Sequence, residues 1–180
     1  EIGVRLVGSE MCIRDRGNVA GGDATEYLNV PNQFMKDCVR KILVEKGIPV
    51  WFGADCHPMM DRENGAWATD LFEYGRVYGV DFDLDKEARV RFADSAMNHA
   101  MAFAGVDVAD DGTTTRRWRV ENSWGTDIAD KGYFTMSDDW FTEYVYEVAV
   151  PKNLLPEEYR KALEEPAIVL PAWDPMGALA

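Results

Sequence analysis

Apolar residues recur every three or four positions in the stretch that follows Pro31, a spacing that places them on one face of a helix. The positions concerned are Phe34, Met35, Cys38, Val39, Ile42 and Leu43. Asn32 is a residue type that caps helix N-termini, and Gly47 is typical of the position just beyond a helix C-terminus. We therefore predict an amphipathic helix of about four turns that begins with Asn32 as its cap and stops at Gly47.

A continuous apolar run, IPVWFGA, follows over residues 48–54 and is bounded by Gly and Pro, which favours a buried strand. Four later segments have strand-like patterns separated by turn-forming stretches such as Asp110-Asp111-Gly112. They are residues 99–108, 116–121, 132–136 and 144–150. Because these strands follow one another along the chain, we expect an antiparallel sheet.

Shorter helices are predicted around these strands. Residues 69–74 and 85–93 have short helical patterns within an otherwise irregular, Gly- and Asp-rich region. Ser137 can cap a further helix that includes Trp140, and Pro156 begins a last one at its first turn.

The two ends of the sequence have no such periodicity. Residues 1–22 include the string VGSEMCIRDR, which resembles the translated adaptor sequence that contaminates some assembled transcripts. We therefore expect residues 1–22 to be a non-native or disordered leader. The last ten residues, PAWDPMGALA, are apolar, contain Pro and are aperiodic.

Composition narrows the class of protein. Apolar residues make up 47% of the 180 residues, which suits one globular domain. The net charge of -13 argues against nucleic acid as a partner, and no apolar run approaches the roughly 20 residues that span a bilayer. Three cysteines without CxxC spacing suit reduced thiols, so we expect a cytoplasmic location.

The candidate chemistry lies in MNHAM and RVENSWG. His99 is one of only two histidines, and Asn122 could accept the imidazole N–H and set the ring's tautomer without adding a full charge. A thiol peptidase needs such an oriented imidazole beside its thiolate, and the indole of Trp124 would keep water from that hydrogen bond. Taken alone, the residues also allow a packed His, an Asn-Ser turn and a core Trp.

The run NSWGTDIADKGYFTM resembles the asparagine motif of the papain superfamily, and MNHAMAFAGV resembles its histidine motif. More narrowly, PVWFGAD, SAMNHAMAFAGV, RWRVENSWG and PAWDPMGALA are similar to sequences of the bleomycin hydrolase and aminopeptidase C family. The resemblance covers residues 23–180 and implies a cytosolic cysteine aminopeptidase with a papain-like core. It also implies assembly as a hexamer that encloses the active sites, and peptide substrates with free N-termini.

The same resemblance implies residue roles. His99 would act as general base and acid, Asn122 would orient it, and Trp124 would shield the pair. The C-terminal arm, residues 171–180, would be directed to the active-site cleft, where the carboxylate of Ala180 would receive the amine of the substrate.

The sequence departs from the family at the nucleophile. There, a Gln for the oxyanion hole and a Cys followed by Trp stand upstream, and this sequence contains no such segment. Cys12 is followed by Ile13 in place of Trp, and Leu6 stands in place of the Gln. Cys12 lies only 87 residues before His99, whereas about 130 to 150 are typical of papain-like enzymes. We expect that the nucleophile is not Cys12 and is absent from this chain.

The other thiols suggest no further chemistry. Cys38 lies at a core-facing helix position and is predicted to be a buried structural thiol. Cys56 and His57 are zinc-binding residue types, but adjacent residues rarely reach one ion and no further ligands fall at a recognisable spacing. We expect no metal site and no other cofactor.

We therefore predict an α+β chain with the papain-like cysteine peptidase fold, mainly its antiparallel-sheet lobe with flanking helices, the N-terminal helical lobe being missing. The domains would be the leader over residues 1–22, the C-terminal part of the peptidase domain over 23–170, and the arm over 171–180. The expected function is that of a C-terminal fragment of a cysteine-type aminopeptidase, inactive alone. The alternative is a non-catalytic family member that acts as an oligomeric assembly or binding module.

Overall fold

A computed structural model of the chain describes residues 4–8, 12–15, 25–82 and 84–170, and within these ranges eleven strands form one sheet. The strands are β1 (Val4–Gly8), β2 (Cys12–Asp15), β3 (Thr25–Val30), β4 (Val50–Ala54), β5 (Met60–Asp61), β6 (Ala66–Trp67), β7 (His99–Val108), β8 (Thr115–Glu121), β9 (Tyr133–Ser137), β10 (Val145–Val150) and β11 (Ile168–Val169). The helices are α1 (Asn32–Lys41), α2 (Tyr74–Tyr78), α3 (Lys86–Arg91), α4 (Asp138–Tyr144) and α5 (Glu157–Ala162), with a π-helical turn at Ile42–Lys46 and a 3-10 turn at Lys152–Leu154.

The strand order is β11-β2-β3-β1-β10-β4-β7-β8-β9-β6-β5. Adjacent strands are antiparallel except in the pairs β1/β3, β2/β11 and β6/β9. The predicted strands at 99–108, 116–121, 132–136 and 144–150 are confirmed to within one residue as β7 to β10, and the predicted antiparallel arrangement holds for them. The predicted strand at 48–54 forms as β4 but begins at Val50, and Ile48 stays exposed before it.

The core lies between the middle of the sheet and the helices α1 and α4. The helix α1 packs against β1 and β10, and α4 packs against β8, β9 and β10. Aromatic rings fill the space, with Phe103 stacked on Phe52 at 3.8 Å and on Phe141 at 5.3 Å between ring centroids. All three rings are buried, which stabilises the contact between α4 and the strands that carry the candidate site.

Two helix predictions are wrong in detail. The N-cap of α1 is Pro31, without a side-chain cap, because the amide of Asn32 instead donates to the carbonyl of Thr142 and accepts from Lys86. The helix predicted at 69–74 forms later in the chain, as α2. The left-handed backbone of Gly79, at a φ of 68°, ends it with a hydrogen bond to the carbonyl of Gly75.

The remaining helix predictions are confirmed. Asp85 caps α3 through a 2.7 Å hydrogen bond from the backbone N–H of Ala88. Ser137 caps α4 by accepting from Trp140, and Pro156 is the residue before α5. The strand β3 and the short pair β5 and β6 have no counterpart among the predictions.

The strands β1 and β2 lie in the segment 1–22, for which we expect a non-native or disordered leader. Their backbone pairs with β3, β10 and β11. The origin of this segment stays a prediction.

Candidate active site

His99 and Asn122 meet at one end of the β7/β8 hairpin. His99 is the first residue of β7, and Asn122 follows directly after the last residue of β8. The Nε2 atom of His99 lies 2.8 Å from the Oδ1 atom of Asn122. The backbone N–H of Ser123 also donates to this oxygen, at 2.7 Å, which fixes the orientation of the amide. Because Oδ1 can only accept, Nε2 carries the proton and Nδ1 of the neutral ring is left to act as a base.

The indole of Trp124 covers the imidazole. The two rings are stacked at 5.3 Å between centroids with 20° between their planes. The indole also packs nearly perpendicular to the ring of Phe134 in β9, with 5.7 Å between centroids, and the guanidinium of Arg62 lies 5.1 Å from the centroid of the indole. Trp124 thus packs on the core through Phe134 and stacks on the imidazole of His99.

The loop between β8 and β9 fixes the position of Asn122. The backbone N–H of Asn122 donates to the carbonyl of Gly132 at 3.1 Å, and the N–H of Gly132 donates to the carbonyl of Ile128 at 2.9 Å. Gly125 and Gly132 have φ angles of 92° and 88°, a region that favours glycine. A Cβ atom on Gly132 would lie 2.8 Å from the carbonyl oxygen of Gly125. The spacing of NSWG and KGY therefore reflects a loop that closes on itself beside the site.

The described cysteine side chains are unsuited to act as nucleophiles. Cys38 is buried in α1, as predicted, and burial raises its pKa to about 11. Burial and the neighbouring carboxylate of Asp55 raise the pKa of Cys56 to about 11. Neither thiol forms appreciable thiolate near neutral pH. The backbone of Cys12 pairs with Leu28 in the sheet, and its side chain lies outside what the structure describes.

Sequence reasoning missed a buried polar cluster next to His99. Asp55 follows β4 directly, and its carboxylate accepts hydrogen bonds from Ser95 and from Asn98, the residue before His99. An Asp at the end of a buried apolar run was the available signal, but its partners are 40 and 43 residues away. This separation hides the cluster from any local pattern.

Two further predictions concern the ends of the chain and metals. Ala180, with the whole arm 171–180, lies outside the described residues. The described part of the chain contains no group of three or more His, Cys, Asp or Glu side chains that could hold a metal ion. No helix within it has both the length and the apolar character needed to cross a bilayer.

The Peptidase C1-like family matches residues 8–177. Human bleomycin hydrolase is 45% identical over 166 residues, which make up 91% of this chain and 36% of the human protein. Aminopeptidase C of Lactococcus lactis subsp. lactis is 43% identical over 165 residues, or 91% of this chain and 37% of that protein. The crystal structure of PepW from Lactobacillus rhamnosis HN001 is similar over 98% of this chain and 42% of its own, with 35% identity and a TM-score of 0.91.

This chain thus spans little more than a third of the length of the curated relatives it matches, in their C-terminal part. The resemblance found in the sequence is confirmed, and so is the α+β fold class with its mostly antiparallel sheet. The chain belongs to the Peptidase C1-like family, among cysteine peptidases of the bleomycin hydrolase and aminopeptidase C type.

Proposed function

We propose that this chain supplies the His and the Asn of the Cys-His-Asn triad of a cysteine-type aminopeptidase whose nucleophilic Cys lies outside this sequence. The observation that carries the proposal is the 2.8 Å contact between His99 Nε2 and Asn122 Oδ1, in an imidazole that is stacked on the ring of Trp124. A ring held in this way presents one defined nitrogen, Nδ1, for proton transfer.

The chemistry follows from that geometry. The Nδ1 atom of His99 would take the proton of the thiol, and the resulting thiolate would attack the carbonyl carbon of the first peptide bond. The imidazolium would then give its proton to the leaving amine, which leaves a thioester acyl-enzyme. Water would add to the thioester with Nδ1 again accepting a proton, and the free amino acid and the thiol would be released. The neutral amide of Asn122 would hold the ring through every step without itself changing charge.

The other cysteines support this reading. The pKa values of Cys38 and Cys56, both raised to about 11, keep those thiols protonated near neutral pH. Cys12 lacks the neighbouring residues of a family nucleophile. We therefore propose that the 180-residue chain alone leaves aminoacyl amides uncleaved. A measurable turnover that Cys12→Ala abolishes would refute this.

Substrate and assembly rest on the resemblance. The carboxylate of Ala180 would receive the free amine of the peptide and so restrict cleavage to the N-terminal end. The parent protein would be a cytoplasmic hexamer. The names of the relatives support only the peptidase class. The amine anchor at Ala180, the hexamer and the cytoplasmic location are proposals that go beyond those names.

A fusion protein tests the proposal. Residues 23–180 would replace the corresponding C-terminal part of human bleomycin hydrolase, and cleavage of a fluorogenic aminoacyl amide would be measured. We expect activity in the fusion, and a loss of kcat/KM of roughly 10³-fold or more in His99→Ala. We expect a loss of roughly 10²-fold or more in Asn122→Ala.

Asn64→Ala is the matched control for Asn122→Ala. Asn64 lies on an exposed turn, where its side chain bonds only the carboxylate of Asp61 among the described residues. This variant should keep full activity. A folded, active fusion that tolerates His99→Ala would overturn the proposed role of the His99–Asn122 pair.

A further inference from the structure

The carboxylate of Asp55 is buried close to the candidate site, with 5% of the residue exposed. Its Oδ2 atom accepts from the hydroxyl of Ser95 at 2.7 Å, and its Oδ1 atom accepts from Nδ2 of Asn98 at 2.6 Å. Ser95 is equally buried and accepts in turn from the hydroxyl of Tyr146 at 2.7 Å. The Nδ1 atom of His57 lies 3.8 Å from Oδ1 of Asp55 and 3.0 Å from Nδ2 of Asn98, on a ring that is largely exposed.

Each carboxylate oxygen of Asp55 accepts a hydrogen bond from a side-chain donor whose orientation is fixed by a second hydrogen bond. The hydroxyl oxygen of Ser95 is occupied by Tyr146, so its own proton points to Asp55. The Oδ1 atom of Asn98 accepts from the backbone N–H of Cys56 at 3.1 Å, so its NH₂ group also faces Asp55. The backbone N–H of His57 adds a longer hydrogen bond to Oδ1 of Asp55, at 3.4 Å. Donors that converge on both oxygens require two acceptors, and of similar side chains only a carboxylate supplies both. Burial of a charge is costly unless it is satisfied in this way.

This cluster anchors the segment that leads into His99. Residues 95–98 have no regular secondary structure and lie between α3 and β7. Both polar side chains of this segment bond Asp55, and the backbone N–H of Asn98 donates to the carbonyl of Ala54 at 3.1 Å. Ala54 is the strand partner of His99. Asp55 therefore fixes the residue before His99 to the strand beside it.

We infer that Asp55 is a positioning residue for His99, which rests on the function proposed above for the His99–Asn122 pair. By holding Asn98, it sets where β7 begins and so where the imidazole stands relative to Asn122. Shifts of about 1 Å in such a group matter greatly for proton transfer. Asp55 itself touches no reacting atom in this arrangement.

The test reads the imidazole directly in the 180-residue chain. The chain contains only His57 and His99, so the ¹⁵N spectrum of the histidine rings holds two sets of signals. His99→Gln assigns them, because the signals that it removes are those of His99. The wild-type chain should show a His99 Nε2–H that exchanges slowly with water. In Asp55→Asn this proton should exchange about tenfold faster and the second tautomer should appear. An unchanged His99 signal in folded Asp55→Asn would overturn the inference.

Two further variants make the result specific. Asp61→Asn removes a carboxylate at the end of β5, where Asp61 accepts from Asn64, and should leave the His99 signal as in the wild type. A change as large as that of Asp55→Asn would overturn the inference. The exchanged pair Asp55→Asn with Asn98→Asp keeps the donor and acceptor between positions 55 and 98 with their roles reversed. This double variant should restore the slow exchange of the His99 Nε2–H with water. It also provides the test if Asp55→Asn alone does not fold. A folded double variant without that signal would refute the positioning role.

The outcome for the wild-type chain separates this inference from the proposed function. A wild-type spectrum without a protected Nε2–H, or one unchanged by Asn122→Ala, would refute the His99–Asn122 unit itself. A protected signal that depends on Asn122 but is indifferent to Asp55 would refute only the inference.

Discussion

Replacing Gly132 with alanine should destabilise the loop that carries Asn122. Two separate costs follow from the structure. The φ of 88° is unfavourable for any residue with a Cβ atom, by about 1 to 2 kcal/mol. The added methyl would also lie 2.8 Å from the carbonyl oxygen of Gly125, and relief of such overpacking costs about 1 to 3 kcal/mol more. We expect Gly132→Ala to lower the free energy of unfolding by about 2 to 5 kcal/mol.

Urea denaturation followed by tryptophan fluorescence measures this change. Gly112→Ala is the matched control, because Gly112 has a similar φ of 71° but an added Cβ would meet no heavy atom within 4 Å. It should lose only the backbone part, about 1 to 2 kcal/mol. Equal losses in the two variants would refute the idea that close approach to Gly125 constrains the loop.

Three further outcomes are expected. Hydrogen bonds from Thr114 and neighbouring N–H groups lower the pKa of Asp111 to about 2, so the stability that this carboxylate contributes is present above about pH 4 and is lost as the pH falls towards 2. Asp111→Asn should therefore remove that part of the acid dependence in unfolding measured from pH 2 to 6. In the wild-type chain the ammonium of Lys36 lies 2.5 Å from the carboxylate of Asp138. Lys36→Met leaves this carboxylate without its cation and should lower the free energy of unfolding, measured in urea, by about 3 kcal/mol. In the fusion protein, removal of Ala180 should shift cleavage of a peptide ladder from the first bond to internal bonds, and an unchanged product pattern would refute the amine anchor.

The strands around the site could be predicted because their patterns are local. Residues 99–108 and 144–150 are apolar runs between clear turn signals, and both form close to the predicted bounds. Asn32 was a reasonable cap by residue type, but Lys86 and Thr142, far along the chain, take its side chain. These hydrogen-bond partners of Asn32 cannot be recognised from the residues that surround it in the sequence.

The residues of the candidate site also differ in whether a local sequence pattern predicts them. His99, Asn122 and Trp124 could be found because family motifs fix their spacing, and the structure brings all three together. Asp55 and the contact between Gly125 and Gly132 depend on tertiary approach, which spacing alone does not encode. The sequence motifs therefore led to the residues that we propose for the chemistry, but not to the residues that hold them in place.

The position of β10 has a consequence for synthesis. This strand lies between β1 and β4, and its pairing with β4 joins positions nearly one hundred residues apart. Such distant pairing closes a large loop and slows folding. A chain made from its N-terminus on the ribosome would expose the unpaired edge of β4 until residues 145–150 had emerged. During that interval the edge is open to pairing with other chains, so we expect the yield of folded protein in the cell to depend on chaperones that shield nascent β-strands.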